Sequence, residues 1–169
     1  MEMMDVYTAQ KERCKKTHLR DLPMKVNEYR MVVSVLVFNS KGELLIQQRS
    51  SNKYSWPNFW DYSAKGAVEA TERPYQAAER ELFEELGITV SLKAVPSRLT
   101  VRFEEGWDEI YFVEKDVAIA KIRLQESEVQ AVRWVSEEAY LTLIDEGEFI
   151  PYIYGKSIFD FYRSSDEHF

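Results

Sequence analysis

The chain has 169 residues, a length at which a single domain is expected. Hydrophobic residues make up 45% and charged residues 30% of the sequence, the ordinary balance of a soluble globular domain. The net charge of -7 argues against non-specific binding to nucleic acid, because acidic side chains repel phosphate backbones. An acidic protein can still bind a small anionic substrate when a metal ion screens the charge.

The sequence carries no sign of export or membrane insertion. No apolar run approaches the roughly 20 residues that a membrane helix needs. The first five residues lack the apolar stretch of a signal peptide. Cys14 is the only cysteine, so no intrachain disulfide can form. We therefore expect a cytoplasmic protein without nucleic-acid or membrane partners, whose oligomeric state the sequence leaves open.

The N-terminal part differs from the rest in its pattern. Residues 1–30 are polar and mixed, with a short strand predicted at 5–8. We interpret them as an extension that packs on a single domain formed by residues 31–169.

The domain begins with a predicted hairpin. The Val-rich run at 31–38 predicts a strand, the turn residues at 39–42 follow, and 43–49 is the returning strand. A loop at 50–65 contains four aromatic residues, and a short strand is predicted within it at 61–64.

A helix is predicted over residues 74–86. Pro74 suits its first turn, and Gly87 suits the position just past its end. Four apolar residues recur at helical spacing and form a stripe: Tyr75, Ala78, Leu82 and Leu86.

The remaining elements alternate between strands and helices. Strands are predicted at 88–95, 99–103, 109–113 and 129–135. Ser136 can cap a helix through about residue 144, and a last helix is predicted after Pro151 to about residue 163. Strands on both sides of a helix imply an α/β fold in which helices cover a mixed sheet.

Three glutamates in the predicted helix carry the first chemical signal. Glu81, Glu84 and Glu85 are related by i+3 and i+4, so they share one helix face. Taken alone, such a trio is more often a solvated surface. Their mutual repulsion is reversed by a divalent cation, and magnesium prefers carboxylate and phosphate oxygens.

The whole stretch from 66 to 88 resembles the Nudix box. That pattern is Gly, five residues, Glu, seven residues, Arg-Glu, an aliphatic, any residue, Glu-Glu, any residue, Gly and an aliphatic. The matching residues, without departure, are Gly66, Glu72, Arg80, Glu81, Leu82, Glu84, Glu85, Gly87 and Ile88. The resemblance implies the Nudix fold, a mixed β-sheet sandwiched between α-helices.

The same resemblance implies a mechanism. Mg²⁺, with Mn²⁺ as an alternative, would be held by Glu81, Glu84 and Glu85 with the Gly66 carbonyl. Glu72 and Arg80 would hold the box in shape, and Gly87 would end its helix. The catalytic set would then consist of Glu81, Glu85, Arg80 and Glu128.

The general base stays open at this point. In this family a glutamate outside the box often takes that role. Glu128 is the first candidate because it lies just before the strand that ends at residue 135. Glu109, Glu126 and Glu81 are the alternatives.

A second resemblance covers residues 44–66, which look like isopentenyl-diphosphate isomerase, a relative with the Nudix fold. Arg49 and Lys53 match residues that grip the substrate diphosphate there. The isomerase has a catalytic cysteine where this chain has Lys65, and metal-binding histidines where it has Ala67 and Arg30.

Together these patterns predict a hydrolase with isomerase-like features. We expect it to cleave a phosphoanhydride bond in a small diphosphate-linked substrate, such as a nucleoside diphosphate derivative. Arg49, Lys53 and Lys65 are predicted to line the pocket opposite the acidic helix. The alternatives are the isomerase and a non-catalytic module that binds a diphosphate ligand.

Overall fold

The computed structural model describes residues 1–164. Its strands are β1 (Met3–Tyr7), β2 (Arg13–Leu19), β3 (Arg30–Phe38), β4 (Leu44–Arg49), β5 (Trp60–Asp61), β6 (Ala64–Ala67), β7 (Leu99–Phe103), β8 (Gly106–Glu114) and β9 (Val129–Val135). Its α-helices are α1 (Pro74–Leu86), α2 (Glu137–Asp145) and α3 (Ile158–Arg163). Short 3₁₀ turns lie at Ile119–Lys121 and Gly155–Ser157. No helix in residues 1–164 is long and apolar enough to cross a bilayer.

The central sheet has seven strands and is mixed. The main order is β5-β4-β3-β8-β7, with β6 also on β3 and β9 also on β4. β3 and β8 run parallel, and the other pairs are antiparallel. β3 and β4 share only the register pair Phe38–Leu44 before they separate. The sheet therefore opens between β6 on one side and β4 with β5 on the other.

Alternation along β3 divides the core between the two faces of the sheet. Val33, Val35 and Val37 pack on the same side as the apolar stripe of α1. Leu36 and Phe38 pack on the opposite side, with residues of α2 and α3. The sheet therefore lies between helices on both faces, as predicted. Since β3 is buried on both sides, it carries apolar residues at odd and at even positions.

An N-terminal hairpin of β1 and β2 forms a separate two-stranded sheet. It is joined to the loop before α1, where the Ala70 N–H donates to the Met3 carbonyl at 2.8 Å and the Thr71 N–H donates to Asp5 Oδ2 at 2.8 Å. The strand predicted at 5–8 corresponds to β1, but β2 was not predicted. Most β2 positions are polar, so the strand lacks the apolar alternation that would reveal it. The domain boundary at residue 30 stays a prediction.

The strand predicted at 88–95 is wrong. This segment is irregular and turns at residues 93 and 94. Ile88 and Leu92 are buried in the core, so the apolar spacing reflects packing rather than sheet pairing. The Leu92 N–H donates to Glu79 Oε1 at 2.6 Å instead of to a neighbouring strand.

Other elements differ from the prediction in extent, and the strand predicted at 109–113 is the longer β8. The strand predicted at 61–64 is divided into β5 and β6, because the Ser63 hydroxyl donates to the Leu45 carbonyl at 2.6 Å and accepts from the Val37 N–H at 2.9 Å. The last helix begins at Ile158 instead of soon after Pro151, with a 3₁₀ turn before it.

The predicted boundaries of α1 and the start of α2 are confirmed. The Ser136 hydroxyl accepts the Ala139 N–H at 3.2 Å, as expected of an N-cap. Gly87 ends α1 in the left-handed conformation with φ of 70°, and its N–H donates to the Phe83 carbonyl at 2.8 Å.

The end of α1 provides a test of stability. We expect Gly87→Ala to lower the free energy of unfolding by about 1–2 kcal/mol or more, because an L-residue is strained at this φ. A Cβ there would also lie 3.2 Å from Cβ of Arg123, a crowded contact. Gly147→Ala is the matched control, since its φ is 73° and its Cβ would meet nothing within 4 Å. Urea unfolding that shows equal losses for both variants would contradict the crowding.

Candidate active site

Helix α1 buries two of its three clustered glutamates. Glu81 is 7% exposed and Glu85 is 5% exposed, whereas the Glu84 side chain is 45% exposed. The apolar stripe of α1 packs on the sheet. The two buried carboxylates therefore lie at the edge of the hydrophobic core, where an ionised group is poorly solvated.

Each buried carboxylate has one compensating partner. The Gln47 side-chain amide on β4 donates to Glu85. Burial raises the pKa of Glu85 well above its ordinary value, and the negative charge of Glu81 raises it further. Burial also raises the pKa of Glu81, against the opposing effect of Arg80, whose Nη1 donates to Glu81 Oε1 at 2.8 Å. Of these two partners only Arg80 is a cation, so the Glu81–Glu85 pair lacks positive charge to balance both carboxylates.

Gly66 on β6 allows the Glu81 carboxylate to lie against the backbone. A Cβ atom at position 66 would be 2.0 Å from both Cδ and Oε1 of Glu81. Any side chain at this position would push the carboxylate away. The glycine is therefore required here by close approach rather than by its φ angle.

Arg80 ties the loop before α1 to the helix. Its guanidinium donates to both oxygens of Glu72, from Nε at 2.9 Å and from Nη2 at 3.0 Å, and to the Ala67 carbonyl at 3.0 Å. Nη1 also donates to Glu84 Oε2 at 3.3 Å. Burial disfavours the charge of Arg80, but the hydrogen bonds and charges of Glu72 and Glu81 outweigh it and raise its pKa. This bidentate pair fixes the shape of the loop.

The buried carboxylates face a cavity of about 670 Å³. The cavity lies where β6 separates from β4 and β5, so the sheet topology creates it. Its basic lining residues are Arg20, Arg30, Arg49, Lys53, Lys65 and Arg80. Its acidic lining residues are Glu2, Asp61, Glu81, Glu84, Glu85 and Glu128.

The three basic residues predicted from the sequence all line this cavity. Arg49 donates to the Ser55 carbonyl at 3.0 and 3.1 Å, and its Nη1 lies 3.7 Å from Asp61 Oδ2. Lys53 is paired with Glu128. Lys65 donates to Asp108 Oδ2 at 2.7 Å. Their role in binding a substrate stays a prediction.

The candidate general bases lie at different places in the structure. Glu81 and Glu128 line the cavity, while Glu126 is exposed outside it. Glu109 is buried elsewhere, accepting from Ser97 and Thr100, and lines a second cavity. The reason is register: Glu109 pairs with Val33, and Val33 pairs with Gly66, so one whole strand separates Glu109 from Gly66.

Several cavity residues were not predicted from the sequence. Asp61 is 1% exposed, and its Oδ1 accepts from the Tyr152 hydroxyl at 2.8 Å and from the Tyr62 N–H at 2.8 Å. Gln47 carries a readable signal, since it is a polar residue within an apolar strand. Glu2 and Arg20 reach the cavity from the N-terminal hairpin, which no local pattern indicates.

The donor set fits a hard divalent cation. The carboxylate of Glu81 lies against Gly66, and it and the carboxylate of Glu85 offer oxygen donors that are buried with insufficient positive charge. Within residues 1–164, no three Asp, Glu, His or Cys side chains are grouped as a formed metal site. Glu84 instead accepts from Arg80. Two carboxylates are too few to surround a cation with protein ligands alone. They suit magnesium, which keeps several of its bound waters.

Gly66→Ala tests the close approach to Glu81. We expect the affinity for Mn²⁺ to weaken about ten- to hundredfold, as when the orientation of a metal ligand is lost. The EPR signal of free Mn²⁺ measures this affinity. The fold should be retained, because the displaced atoms belong to the end of a flexible side chain. Gly42→Ala is the control, since its Cβ would meet nothing within 4 Å. Unchanged Mn²⁺ affinity in Gly66→Ala would refute the placement of Glu81 at the metal.

Comparison with known proteins identifies the family. Residues 28–153 match the model of the NUDIX domain. A protein of Listeria innocua described as an uncharacterized Nudix hydrolase is 41% identical over 169 residues, all of both chains. An isopentenyl-diphosphate delta-isomerase of Streptomyces coelicolor is 36% identical over 110 residues, 61% of this chain and 55% of that protein. A crystal structure of a Deinococcus radiodurans protein covers 98% of this chain and 100% of its own, with a TM-score of 0.74 at 24% identity. The chain therefore belongs to the Nudix family and is a hydrolase.

Proposed function

We propose that this protein is a magnesium-dependent hydrolase that cleaves a phosphoanhydride bond in a small diphosphate-linked substrate, such as a nucleoside diphosphate derivative. One observation carries the proposal: a single cavity is lined by the buried carboxylates Glu81 and Glu85 and by several basic side chains. A carboxylate group suits a metal ion, and basic groups suit the phosphate oxygens that the metal leaves uncompensated.

The residues divide into those that hold the metal and those that hold the substrate. Glu81 and Glu85, with Glu84 and the Gly66 carbonyl, would bind Mg²⁺ or Mn²⁺. When bound, the metal supplies a positive charge that polarises a phosphate and acidifies a coordinated water. Arg49, Lys53 and Lys65 bind phosphate oxygens; arginine can contact two at once, and lysine acts as a compact charge.

A general base is available from either of two acids in the cavity. Glu128 has a side chain 36% exposed and is paired with Lys53, so it can accept a proton while Lys53 contacts a phosphate. Glu81 is more buried and is bonded to Arg80. Glu109 has no access to the cavity and drops out of the proposal.

The rest of the cavity favours a polar leaving or retained group on the substrate. Polar side chains other than those already bonded to Glu85 and Asp61 also line the cavity and can hydrogen-bond a sugar or base: Asn52, Ser55, Gln125 and Ser127. Apolar lining comes from Val32, Ala67 and Ile150 and from the aromatic rings of Tyr54 and Trp56. A prenyl chain would therefore meet more charged and polar side chains than apolar ones.

The residue before Gly66, Lys65, argues against the isomerase alternative. Lys65 occupies the position of the isomerase's catalytic cysteine, and its ammonium is bound to Asp108. Cys14 lies on β2 and does not line the cavity. No thiol is therefore available in the described residues to move a proton on an alkene. A non-catalytic binding module is the other alternative, and metal-dependent product release would separate it from a hydrolase.

The first functional test removes one metal ligand. Purified protein and a panel of diphosphate compounds with Mg²⁺ would be scored for phosphate or monophosphate release. We expect Glu85→Gln to lower turnover at least about a hundredfold, as expected if metal assistance is lost. Glu138→Gln, on the exposed side of α2, is the control and should hydrolyse like the wild type. Near-normal turnover in Glu85→Gln, still dependent on metal, would disprove the assignment of ligands.

The second test addresses the isomerase. Incubation with isopentenyl diphosphate and Mg²⁺ should give no dimethylallyl diphosphate, because the cavity holds no thiol in the described residues. Product analysis by chromatography is the measurement. Appreciable dimethylallyl diphosphate would overturn this interpretation and require another proton donor.

A further inference from the structure

The N-terminal hairpin contributes one wall of the cavity. Glu2 and Arg20 stand next to the last register pair of the hairpin, Met3–Leu19, and both line the cavity. Their side chains form an ion pair, and the Arg20 N–H donates to the Glu2 carbonyl at 3.0 Å. These residues lie before the region that matches the family model, which begins at residue 28.

The hairpin is fixed to the same loop that Arg80 orders. Besides the bonds to residues 70 and 71, Arg13 Nη2 donates to the Glu72 carbonyl at 2.7 Å. Arg13 Nε is 3.2 Å from Asp5 Oδ2, and the β1 residues Met4 and Val6 are each 1% exposed. A side chain at the end of this hairpin therefore has a defined position relative to α1.

Arg20 lies within the electrostatic reach of the acidic residues of the site. Burial disfavours its charge, but the hydrogen bond and charge of Glu2 and then the charges of Glu81 and Glu128 raise its pKa. An arginine stays charged at all ordinary pH values, and Arg20 lines the same cavity as the proposed metal ligand Glu81 and as Glu128, the partner of Lys53. That location suits the phosphate oxygens that face away from the metal.

The cations of the cavity differ in how readily a substrate can displace their carboxylate partners. Lys65 is held by Asp108, whose side chain is 5% exposed. Arg20 and Lys53 are held by Glu2 and Glu128, with side chains 50% and 36% exposed. An exposed carboxylate can turn into solvent at little cost, because exposed ion pairs contribute only about 0–1 kcal/mol. Arg20 and Lys53 are therefore the cations whose carboxylate partners an entering anion displaces most readily, while Arg49 and Lys65 can contact the anion and keep their buried partners.

We propose that Arg20 is a substrate-binding residue, supplied by the N-terminal hairpin, which contacts the diphosphate together with Lys53 after the substrate displaces Glu2. The proposal rests on the proposed function and names a part of the same site. It assigns the hairpin a role in affinity for the phosphate group.

The test measures binding separately from turnover. Pyrophosphate, as its analogue imidodiphosphate whose P–N–P bridge resists hydrolysis, is titrated calorimetrically with Mg²⁺ into otherwise wild-type parent protein, which keeps both buried carboxylates. Arg20→Ala and Lys53→Ala should each weaken binding at least about tenfold, because each removes a hydrogen bond to a charged group. The double variant should differ from the sum of the single effects, since residues contacting one anion are coupled. Lys15→Ala, an exposed position on β2, the strand that Arg20 follows, is the matched control and should bind like the parent protein.

Two further variants guard against a folding artefact. Arg20→Lys should bind with intermediate affinity, because it keeps the charge and loses the planar fork. Glu2→Gln should bind pyrophosphate more tightly, since a competing carboxylate is removed. Pyrophosphate affinity unchanged in Arg20→Ala, or no binding by the parent protein, would overturn the inference. If the wild type hydrolyses no diphosphate, the proposed function fails on its own, and this titration still decides the role of Arg20.

Discussion

The burial of Glu81 and Glu85 at the edge of the core is the constraint on which the site depends. Removal from water raises the pKa of both carboxylates, and the charge of Glu81 raises that of Glu85 further, so their ionised forms oppose the folding that brings them together. Gln47 and Arg80 offset part of that cost by hydrogen bonds. A divalent cation would supply the missing positive charge, so the arrangement stores an affinity for metal in the folded state.

The rest of the fold positions these two groups. The helix spacing places them on one face, the bare backbone at Gly66 makes room for one of them, and the Arg80–Glu72 pair holds the preceding loop. The parting of β3 and β4 opens the cavity in front of them. The N-terminal hairpin then completes the cavity wall with Arg20. Each of these elements therefore helps to position or accommodate two carboxylates whose burial alone would be unfavourable.

Sequence patterns predicted the parts of the structure that local spacing controls. The boundaries of α1 and the grouping of its glutamates follow from the helical repeat, and resemblance to relatives pointed to Arg49 and Lys53. Long-range register could not be predicted: Glu109 lies two strands from Gly66, about 9–10 Å away in a sheet. Arg20 was missed because β2 has no apolar alternation and because its hairpin reaches the site only through tertiary contacts. At 88–95, burial without a strand partner produced an alternation that mimics a strand.

If the buried carboxylates form the proposed metal site, they destabilise the protein until that site is filled. Thermal unfolding of the wild type and of Glu85→Gln, measured over a range of Mg²⁺ concentrations, tests it without a substrate. The account predicts that the melting temperature of the wild type rises with Mg²⁺ by mass action, whereas that of Glu85→Gln starts higher and rises little. A wild type that gains no stability from Mg²⁺, or an equal gain in both proteins, would contradict it.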